Sequence, residues 1–139
     1  TRSTNNYGPN QFPEKLIPLF ITKALKGEKL PLYGDGTNIR DWLYVKDHCQ
    51  AIDLVMRNGK KGEIYNISAN NEFTNIEITK KILSILNINK NLITFVEDRK
   101  GHDFRYALSS KKIKNELGWK SSTKFKEGLE KTINWYCNN

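Results

Sequence analysis

The stretch that decides the fold is residues 32–47, LYGDGTNIRDWLYVKD. It predicts a strand, a tight turn, a second strand and the first residue of a helix. Asp35 and Gly36 suit a hairpin turn of type I′, because both central residues of that turn need a positive φ angle. Asp47 is a favourable N-cap for the helix that follows. We therefore predict that the two strands pair as a hairpin and lead directly into a helix.

Side chains along the second predicted strand alternate between two faces. One face carries Arg40, Trp42 and Tyr44, and the other carries Ile39, Asp41, Leu43 and Val45. An arginine held beside aromatic rings is well placed to bind a carboxylate or a phosphate, since its guanidinium group donates two parallel hydrogen bonds. The alternative is a surface cation that lies along the rings. Spacing alone favours this alternative.

Length and composition indicate one globular domain. The chain has 139 residues, of which 37% are hydrophobic and 27% are charged. No apolar run approaches the roughly 18 residues that a membrane span needs, so no membrane partner is expected. The chain begins with Thr1 rather than Met, and we interpret it as a piece of a longer polypeptide. We expect a single mixed α/β domain over residues 1–139, with helices packed around short strands.

The net charge of +8 raises the question of nucleic-acid binding. The lysines are dispersed, with small clusters only at residues 60–61, 80–81 and 111–114. An electrostatic footprint for nucleic acid needs one continuous stripe or arm. We therefore interpret most of the charge as solvated surface, and nucleic-acid binding is the disfavoured alternative.

The two cysteines, Cys49 and Cys137, do not form a metal-spaced pair. His48 is adjacent to Cys49, but neighbouring helical residues point in different directions. We predict no metal site and a reducing, cytoplasmic setting.

Polar residues cluster where a ligand could be held. The first helix is predicted to begin at Pro13, which places Lys15 in its first turn, where a cation opposes the helix dipole unless an anion lies nearby. Residues 74–77, TNIE, match the capping box, so Asn75 is expected beside another helix N-terminus. The loop 98–106, DRKGHDFRY, combines cations, an imidazole and acids around a glycine, which suits an anionic ligand.

Local catalytic motifs are missing from the sequence. Gly34 and Gly36 begin a G-x-G pattern, but Ile39 stands at the place of the third glycine and a strand follows. No tyrosine is followed by a lysine four residues later, which is the pair that makes a tyrosine a usable base in short-chain dehydrogenases. There is no P-loop. No local motif therefore places a catalytic residue in the chain, although a Ser-His-Asp or Cys-His triad, whose members can lie far apart in sequence, stays open.

Five short segments follow one another in a recognisable order. They are Asn5-Asn6-Tyr7-Gly8-Pro9 with Gln11-Phe12-Pro13-Glu14-Lys15-Leu16-Ile17-Pro18, then Leu30-Pro31-Leu32-Tyr33-Gly34, Arg40-Asp41-Trp42-Leu43-Tyr44-Val45, Tyr65-Asn66-Ile67 and Gly101-His102-Asp103. In order and spacing they resemble the dTDP-glucose 4,6-dehydratases, which are extended short-chain dehydrogenases/reductases. The resemblance covers essentially the whole chain. It implies the C-terminal substrate-binding part of such an enzyme, with the N-terminal Rossmann half absent.

The resemblance also implies a role for each matched position. The positions that would contact the nucleotide sugar are Asn5, Lys15, Leu16, Pro31, Leu32, Tyr33, Arg40, Asn75, Asp98, Arg99, Lys100, Gly101 and His102. Asn6 would contact the cofactor. Arg40 resembles the family's diphosphate-binding arginine, which reverses the preference drawn from spacing. Residues 98–102 resemble the loop that closes over the nucleotide, although the family commonly has proline where this chain has Lys100.

The same resemblance implies an activity and partners. Such enzymes use NAD to oxidise the sugar at C4, eliminate water across C5 and C6, and return the hydride to C6. Their dinucleotide fingerprint, Tyr-x-x-x-Lys pair and acid pair lie in the N-terminal half. We therefore expect an inactive chain that needs this half as its partner, NAD bound mainly by that half, and a homodimeric parent enzyme. A stand-alone nucleotide-sugar-binding module is the alternative.

Overall fold

The computed structural model describes all residues, 1–139, and confirms a mixed α/β fold of eight short strands and five helices. The strands are β1 (Arg2–Ser3), β2 (Asn5–Tyr7), β3 (Leu30–Tyr33), β4 (Ile39–Tyr44), β5 (Asn66–Ile67), β6 (Glu72–Thr74), β7 (Ile93–Val96) and β8 (Arg105–Tyr106). The helices are α1 (Leu16–Leu25), α2 (Val45–Asn58), α3 (Asn75–Ile85), α4 (Lys111–Leu117) and α5 (Phe125–Asn138), with a single 3-10 turn at Lys90–Leu92.

The strands form three small sheets, of which the one centred on β4 is the largest. In that sheet β4 pairs in parallel with β2 and β8 and antiparallel with β6. The other two sheets are parallel pairs, β1 with β5 and β3 with β7. Strand β4 therefore receives hydrogen bonds from three chain segments that are distant in sequence, and it is the element around which they assemble.

The predicted hairpin is wrong, because β3 and β4 lie in different sheets. The turn between them has positive φ angles at Gly34 and Gly36, whereas Asp35 keeps a negative φ. The Asp35 carboxylate instead accepts hydrogen bonds from the Thr37 N–H at 2.9 Å and its hydroxyl at 2.6 Å. A Cβ atom on Gly36 would lie 2.5 Å from the Leu32 side chain, so this close passage requires glycine. The turn redirects the chain from one sheet to another.

Two helix starts also differ from prediction. Helix α1 begins at Leu16 with Lys15 as its N-cap, so Pro13 precedes the helix. Helix α2 begins at Val45, so the prediction of Asp47 as its N-cap is wrong, and Asp47 lies in the first helical turn. The capping box at the start of α3 is confirmed, with the Thr74 hydroxyl and the Glu77 carboxylate each accepting a hydrogen bond from the other residue's backbone N–H.

Asp47 connects α2 to the loop before α5. Its carboxylate accepts five hydrogen bonds from the side chains and backbone N–H groups of residues 121–123. Burial would raise the pKa of Asp47, but these hydrogen bonds together hold that pKa below the usual value of an aspartate. The carboxylate therefore ties two helices together instead of capping one of them.

Two apolar cores lie on opposite sides of β4. The larger one packs α1, α3 and α5 against β3 and one face of β4, which contributes Trp42 and Tyr44. The smaller one packs α2 and α4 against β5, and β4 contributes Leu43. The predicted alternation along this strand is therefore confirmed. None of the five helices combines the length and the apolar composition that crossing a membrane requires.

Candidate functional site

A cleft of about 390 Å³ lies between the start of α1, strands β3 and β4, the start of α3 and the loop before β8. Ten of the thirteen predicted substrate contacts line it: Asn5, Lys15, Leu16, Pro31, Leu32, Tyr33, Arg40, Asn75, Arg99 and His102. These residues come from six separate segments of the chain. The fold thus brings most of the predicted site residues together in one place.

The other three predicted contacts, Asp98, Lys100 and Gly101, lie outside the lining. Asp98 Oδ1 is 2.7 Å from His102 Nδ1 and also accepts the Arg99 N–H at 2.8 Å. The hydrogen bond with His102 is the main reason that the pKa of Asp98 lies below its usual value. Lys100 and Gly101 are exposed in the turn that joins these residues. In the structure, Asp98 holds the imidazole of His102, which itself faces the cleft.

The guanidinium group of Arg40 is held by backbone carbonyl groups. Its Nη1 donates to the Ile39 carbonyl at 2.7 Å and its Nη2 donates to the Asp103 carbonyl at 2.9 Å. An arginine has five N–H donors, so three remain for a ligand. Trp42 lies two residues further along the same face of β4 and also lines the cleft. Arg40 is therefore oriented without its charge being neutralised by a carboxylate.

The ring of Tyr33 forms one wall of the cleft together with two groups from the loop. The Arg99 guanidinium carbon lies 5.2 Å from the ring centroid, which is the geometry of a cation–π contact. The His102 ring meets Tyr33 edge-on, with 6.4 Å between the centroids. Because His102 Nδ1 is occupied by Asp98, its Nε2 is the nitrogen free to meet a ligand. A flat ring flanked by a cation and an imidazole suits a planar, anionic molecule.

Two helices begin at the cleft, and they differ in whether their N-terminal backbone N–H groups are capped. At the start of α1, no side chain caps the helix and no acid occupies the first turn. The backbone N–H groups of Leu16 and Ile17 have no intramolecular acceptor, and free N–H groups at a helix start favour an anion. Helix α3 is closed by its own capping box, and it presents Asn75, whose side-chain amide forms no hydrogen bond within the chain.

Electrostatically, the cleft is unbalanced. Lys15, Arg40 and Arg99 line it, and none of them takes part in any of the eight ion pairs of the structure. Glu14 is the only acidic residue in the lining. Three unpaired cations beside an uncapped helix N-terminus would favour an anion with more than one charge.

Four lining residues were not among the predicted contacts: Glu14, Leu19, Phe20 and Trp42. Two sequence signals could have identified three of them. Leu19 and Phe20 follow Leu16 at helical spacing, and Trp42 alternates with Arg40 on one face of a strand. No pattern in the sequence indicates Glu14.

Asn6 lies apart from the cleft, and its side chain is only half satisfied. Its amide nitrogen donates to the Ser3 hydroxyl at 3.3 Å and to the Thr4 carbonyl at 3.1 Å. Its amide oxygen is buried without any partner. A buried acceptor without a donor is costly, so this oxygen fits a group that brings an N–H or O–H donor, as the carboxamide and hydroxyls of NAD would. The residue present is therefore compatible with a dinucleotide.

The fold and the cleft define the class of protein to which the chain belongs. The architecture is that of the extended short-chain dehydrogenases/reductases. The chain belongs to the family described as GDP-mannose 4,6 dehydratase, whose profile matches residues 1–132.

Within this family, the chain is similar to dTDP-glucose 4,6-dehydratases. The enzyme of Xanthomonas campestris is 48% identical over all of this chain and 42% of that protein. The crystal structure of the Bacillus anthracis enzyme in complex with NAD is 54% identical, with a TM-score of 0.95 over 99% of this chain and 44% of that one. DesIV of Streptomyces venezuelae, with NAD and TYD bound, is 50% identical, with a TM-score of 0.97 over 99% of this chain and 43% of that one. The predicted resemblance is confirmed, and the chain spans less than half the length of these relatives.

Proposed function

We propose that the cleft is the nucleotide-sugar half of the active site of a dTDP-glucose 4,6-dehydratase, which converts dTDP-glucose to dTDP-4-keto-6-deoxyglucose and water. The observation that carries the proposal is the set of three cations that line the cleft without any carboxylate partner. A diphosphate supplies the missing charge, because a guanidinium group and an ammonium group both form strong, charge-assisted hydrogen bonds with phosphate oxygens.

We assign a part of the ligand to each region of the cleft lining. The diphosphate lies against Arg40, whose fork is already oriented by backbone carbonyl groups. The base and its ribose lie between Tyr33, Asn75 and the loop that carries Arg99 and His102. The remaining predicted contacts, Asn5, Lys15, Leu16, Pro31 and Leu32, surround the sugar and the rest of the nucleotide. Asp98, Lys100 and Gly101 belong to the same closing loop but do not line the cleft, so they would support the loop without touching the ligand.

The catalytic groups and most of the NAD contacts belong to an N-terminal half of the parent enzyme, and residues 1–139 alone have no dehydratase activity. The absence of any Tyr-x-x-x-Lys pair here supports this division, and the NAD bound in solved relatives supports the cofactor itself. NAD, when bound, takes up a hydride from the sugar and returns it. Asn6 would contact the dinucleotide, and its amide oxygen has no partner within the chain.

The surface around β1 and β5 supports the same division. Five buried side-chain polar atoms lack a partner, and three of them, Thr4 Oγ1, Asn6 Oδ1 and Asn66 Oδ1, lie in or beside β1, β2 and β5. Unsatisfied buried polar atoms are rare in complete proteins. We infer that the N-terminal half packs against this part of the fold, around β1, β2 and β5. A homodimeric parent and a cytoplasmic setting stay predictions.

A titration of the 15N-labelled chain with dTDP-glucose tests the proposed binding site. We expect the largest amide shifts at Lys15, Arg40, Asn75, Arg99 and His102, since these residues line the cleft. Labelled amides around Cys137, at the end of α5, serve as an internal control because that residue lies outside the lining.

Two outcomes of this titration would contradict the proposal. One is the absence of any shift at millimolar ligand, a concentration that detects even a dissociation constant of about 1 mM. The other is a strong, salt-dependent affinity for DNA that displaces the sugar nucleotide, which would favour a nucleic-acid binder.

A further inference from the structure

We propose that Asp41 is a positioning residue. It lies outside the cleft and fixes the positions of Arg40 and Asn75 relative to each other. The inference rests on the proposed function of the cleft. Asp41 lies on β4 between Arg40 and Trp42, and its side chain points to the opposite face of the strand. Its exposure is 1%, so no ligand in the cleft can touch it.

The Asp41 carboxylate organises the loop between β5 and β6. Its Oδ2 accepts hydrogen bonds from the Ser68 hydroxyl at 2.5 Å and from the Asn70 N–H at 3.3 Å. Its Oδ1 accepts the Asn71 N–H at 2.8 Å, and the Asn71 carbonyl accepts the backbone N–H of Trp42 at 3.0 Å. The loop is thus fastened to β4 through a side chain and through the backbone.

This fastening holds an unusual backbone conformation. Asn70 has a φ angle of 56°, in the left-handed region, which asparagine adopts more readily than most other non-glycine residues. The backbone N–H groups of Asn70 and Asn71 both turn toward the carboxylate. Asn70 is exposed and its N–H also reaches the Ser68 hydroxyl at 3.4 Å, whereas Asn71 is half-buried and its N–H has no acceptor other than Asp41, so loss of the carboxylate would be costly mainly at Asn71. The carboxylate is therefore what makes this turn of the loop stable.

A buried carboxylate is an expensive way to hold a strand in place. No lysine, arginine or histidine forms an ion pair with Asp41. A buried charge without a counter-ion is costly unless hydrogen bonds compensate, and an apolar residue would pack there at less cost. In some proteins such groups are retained for the specific geometry that they impose, and we assign that role to Asp41.

The geometry that Asp41 imposes extends to the cleft through strand β6 and the start of helix α3. Strand β6 has only three residues, and its register with β4 pairs Glu72 with Asp41 and Phe73 with Arg40. Helix α3 begins at the next residue, Asn75. The backbone N–H of Asn75 donates to the Asn38 carbonyl at 3.1 Å, just before β4. By holding the loop in this register, Asp41 sets the distance across the cleft between Arg40 and Asn75.

The test is the variant Asp41→Asn, which keeps the shape of the side chain. Its amide group can accept at only one of the two oxygen positions, so at least one backbone N–H of Asn70 or Asn71 faces a donor. We expect the affinity for dTDP-glucose to fall by about 10-fold, the effect of losing one well-placed hydrogen bond to a ligand. In the ligand-free protein, hydrogen exchange at Asn75 and Ile76 should accelerate by a similar factor.

Asp47→Asn is the matched control, because Asp47 is a second buried carboxylate that fastens a loop but lies outside the cleft. It should lower the melting temperature as Asp41→Asn does, yet leave the affinity and the exchange at Asn75 at wild-type values. Ser68→Ala removes only one donor from Asp41 and is the milder variant if Asp41→Asn does not fold.

The inference is overturned if Asp41→Asn, or Ser68→Ala in its place, matches Asp47→Asn in affinity and in exchange at Asn75 and Ile76. Asp41 would then be merely structural. If the wild-type chain itself does not bind the nucleotide sugar, the proposed function fails. The exchange at Asn75 and Ile76 then decides separately whether Asp41 positions the start of α3.

Discussion

Replacing Arg40 by alanine is expected to weaken the binding of dTDP-glucose by about 10- to 100-fold while the chain stays folded. A hydrogen bond to a charged group contributes about 1.5 to 3 kcal/mol, and each 1.4 kcal/mol is a factor of ten in affinity. The Arg40 fork faces the cleft and has no carboxylate partner to leave behind when it is removed. Calorimetric titration of the variant and the wild-type chain measures the difference.

Arg57→Ala is the matched control for this experiment. Arg57 lies on α2, outside the cleft, and pairs with Asp53 on the surface. Its removal costs the same charge but should leave the affinity unchanged. An intermediate loss is expected for Arg40→Lys, which keeps the charge but not the two-pronged geometry. If Arg40→Ala binds as tightly as Arg57→Ala, Arg40 is not the diphosphate ligand.

Replacing Ile82 by alanine is expected to lower the free energy of unfolding by about 2 to 5 kcal/mol, as for other large-to-small changes at buried aliphatic residues. Ile82 lies on α3, is fully buried, and belongs to the core that packs α1, α3 and α5 together. Domains of this size have a total stability of only about 5 to 15 kcal/mol, so the variant should be close to unfolding. Urea denaturation measures the change.

Met56→Ala controls for the loss of apolar side-chain volume. Met56 is 74% exposed on α2 and belongs to neither core. We expect its free energy of unfolding to stay within about 0.5 kcal/mol of the wild type, as is usual for surface substitutions. Equal effects of the two substitutions would mean that α3 does not pack against the core as described.

The parts of the fold that depend on local chemistry could be predicted from the sequence. The capping box at Thr74 and Glu77 is an interaction between residues three positions apart, so its pattern is sufficient to place the start of α3. The alternation of Arg40, Trp42 and Leu43 between two faces is likewise a local property of an extended strand. These two features position Asn75 and Arg40 in the cleft.

The parts that depend on distant residues could not be predicted in this way. Asp35 and Gly36 match a hairpin turn, but the partner of β3 is β7, about sixty residues further along the chain. Asp47 matches an N-cap, but residues 121–123 offer its carboxylate five hydrogen bonds, more than a helix start can. In both cases a long-range partner outweighed a local preference.

The site was predicted mainly through resemblance, and the structure adds how its residues are held. Nothing local to Asp98 indicates that it holds the imidazole of His102. Similarly, the sequence places Asp41 beside Arg40 but gives no sign of the loop that it organises. Contacts between residues of different chain segments, such as those of Asp41 with its loop, are visible only in the folded structure.

The most direct test of the proposed function is a chimera in which residues 1–139 replace the matching 44% of the Bacillus anthracis enzyme. The rest of that enzyme, which was crystallised in complex with NAD, completes the chimera, and this chain supplies the cleft. Conversion of dTDP-glucose is followed by mass spectrometry as the loss of one water from the sugar nucleotide. The same chimera with Arg40→Ala serves as the control, and the isolated chain serves as the blank.

We predict that the chimera binds NAD and forms the 4-keto-6-deoxy product at a rate within roughly 100-fold of the intact enzyme, because a misplacement of about 1 Å can cost that factor. The isolated chain should form no product, and Arg40→Ala should slow the chimera at low substrate concentration. A chimera that folds and binds NAD but leaves dTDP-glucose unchanged would contradict the assignment of this chain as the substrate half of a dehydratase.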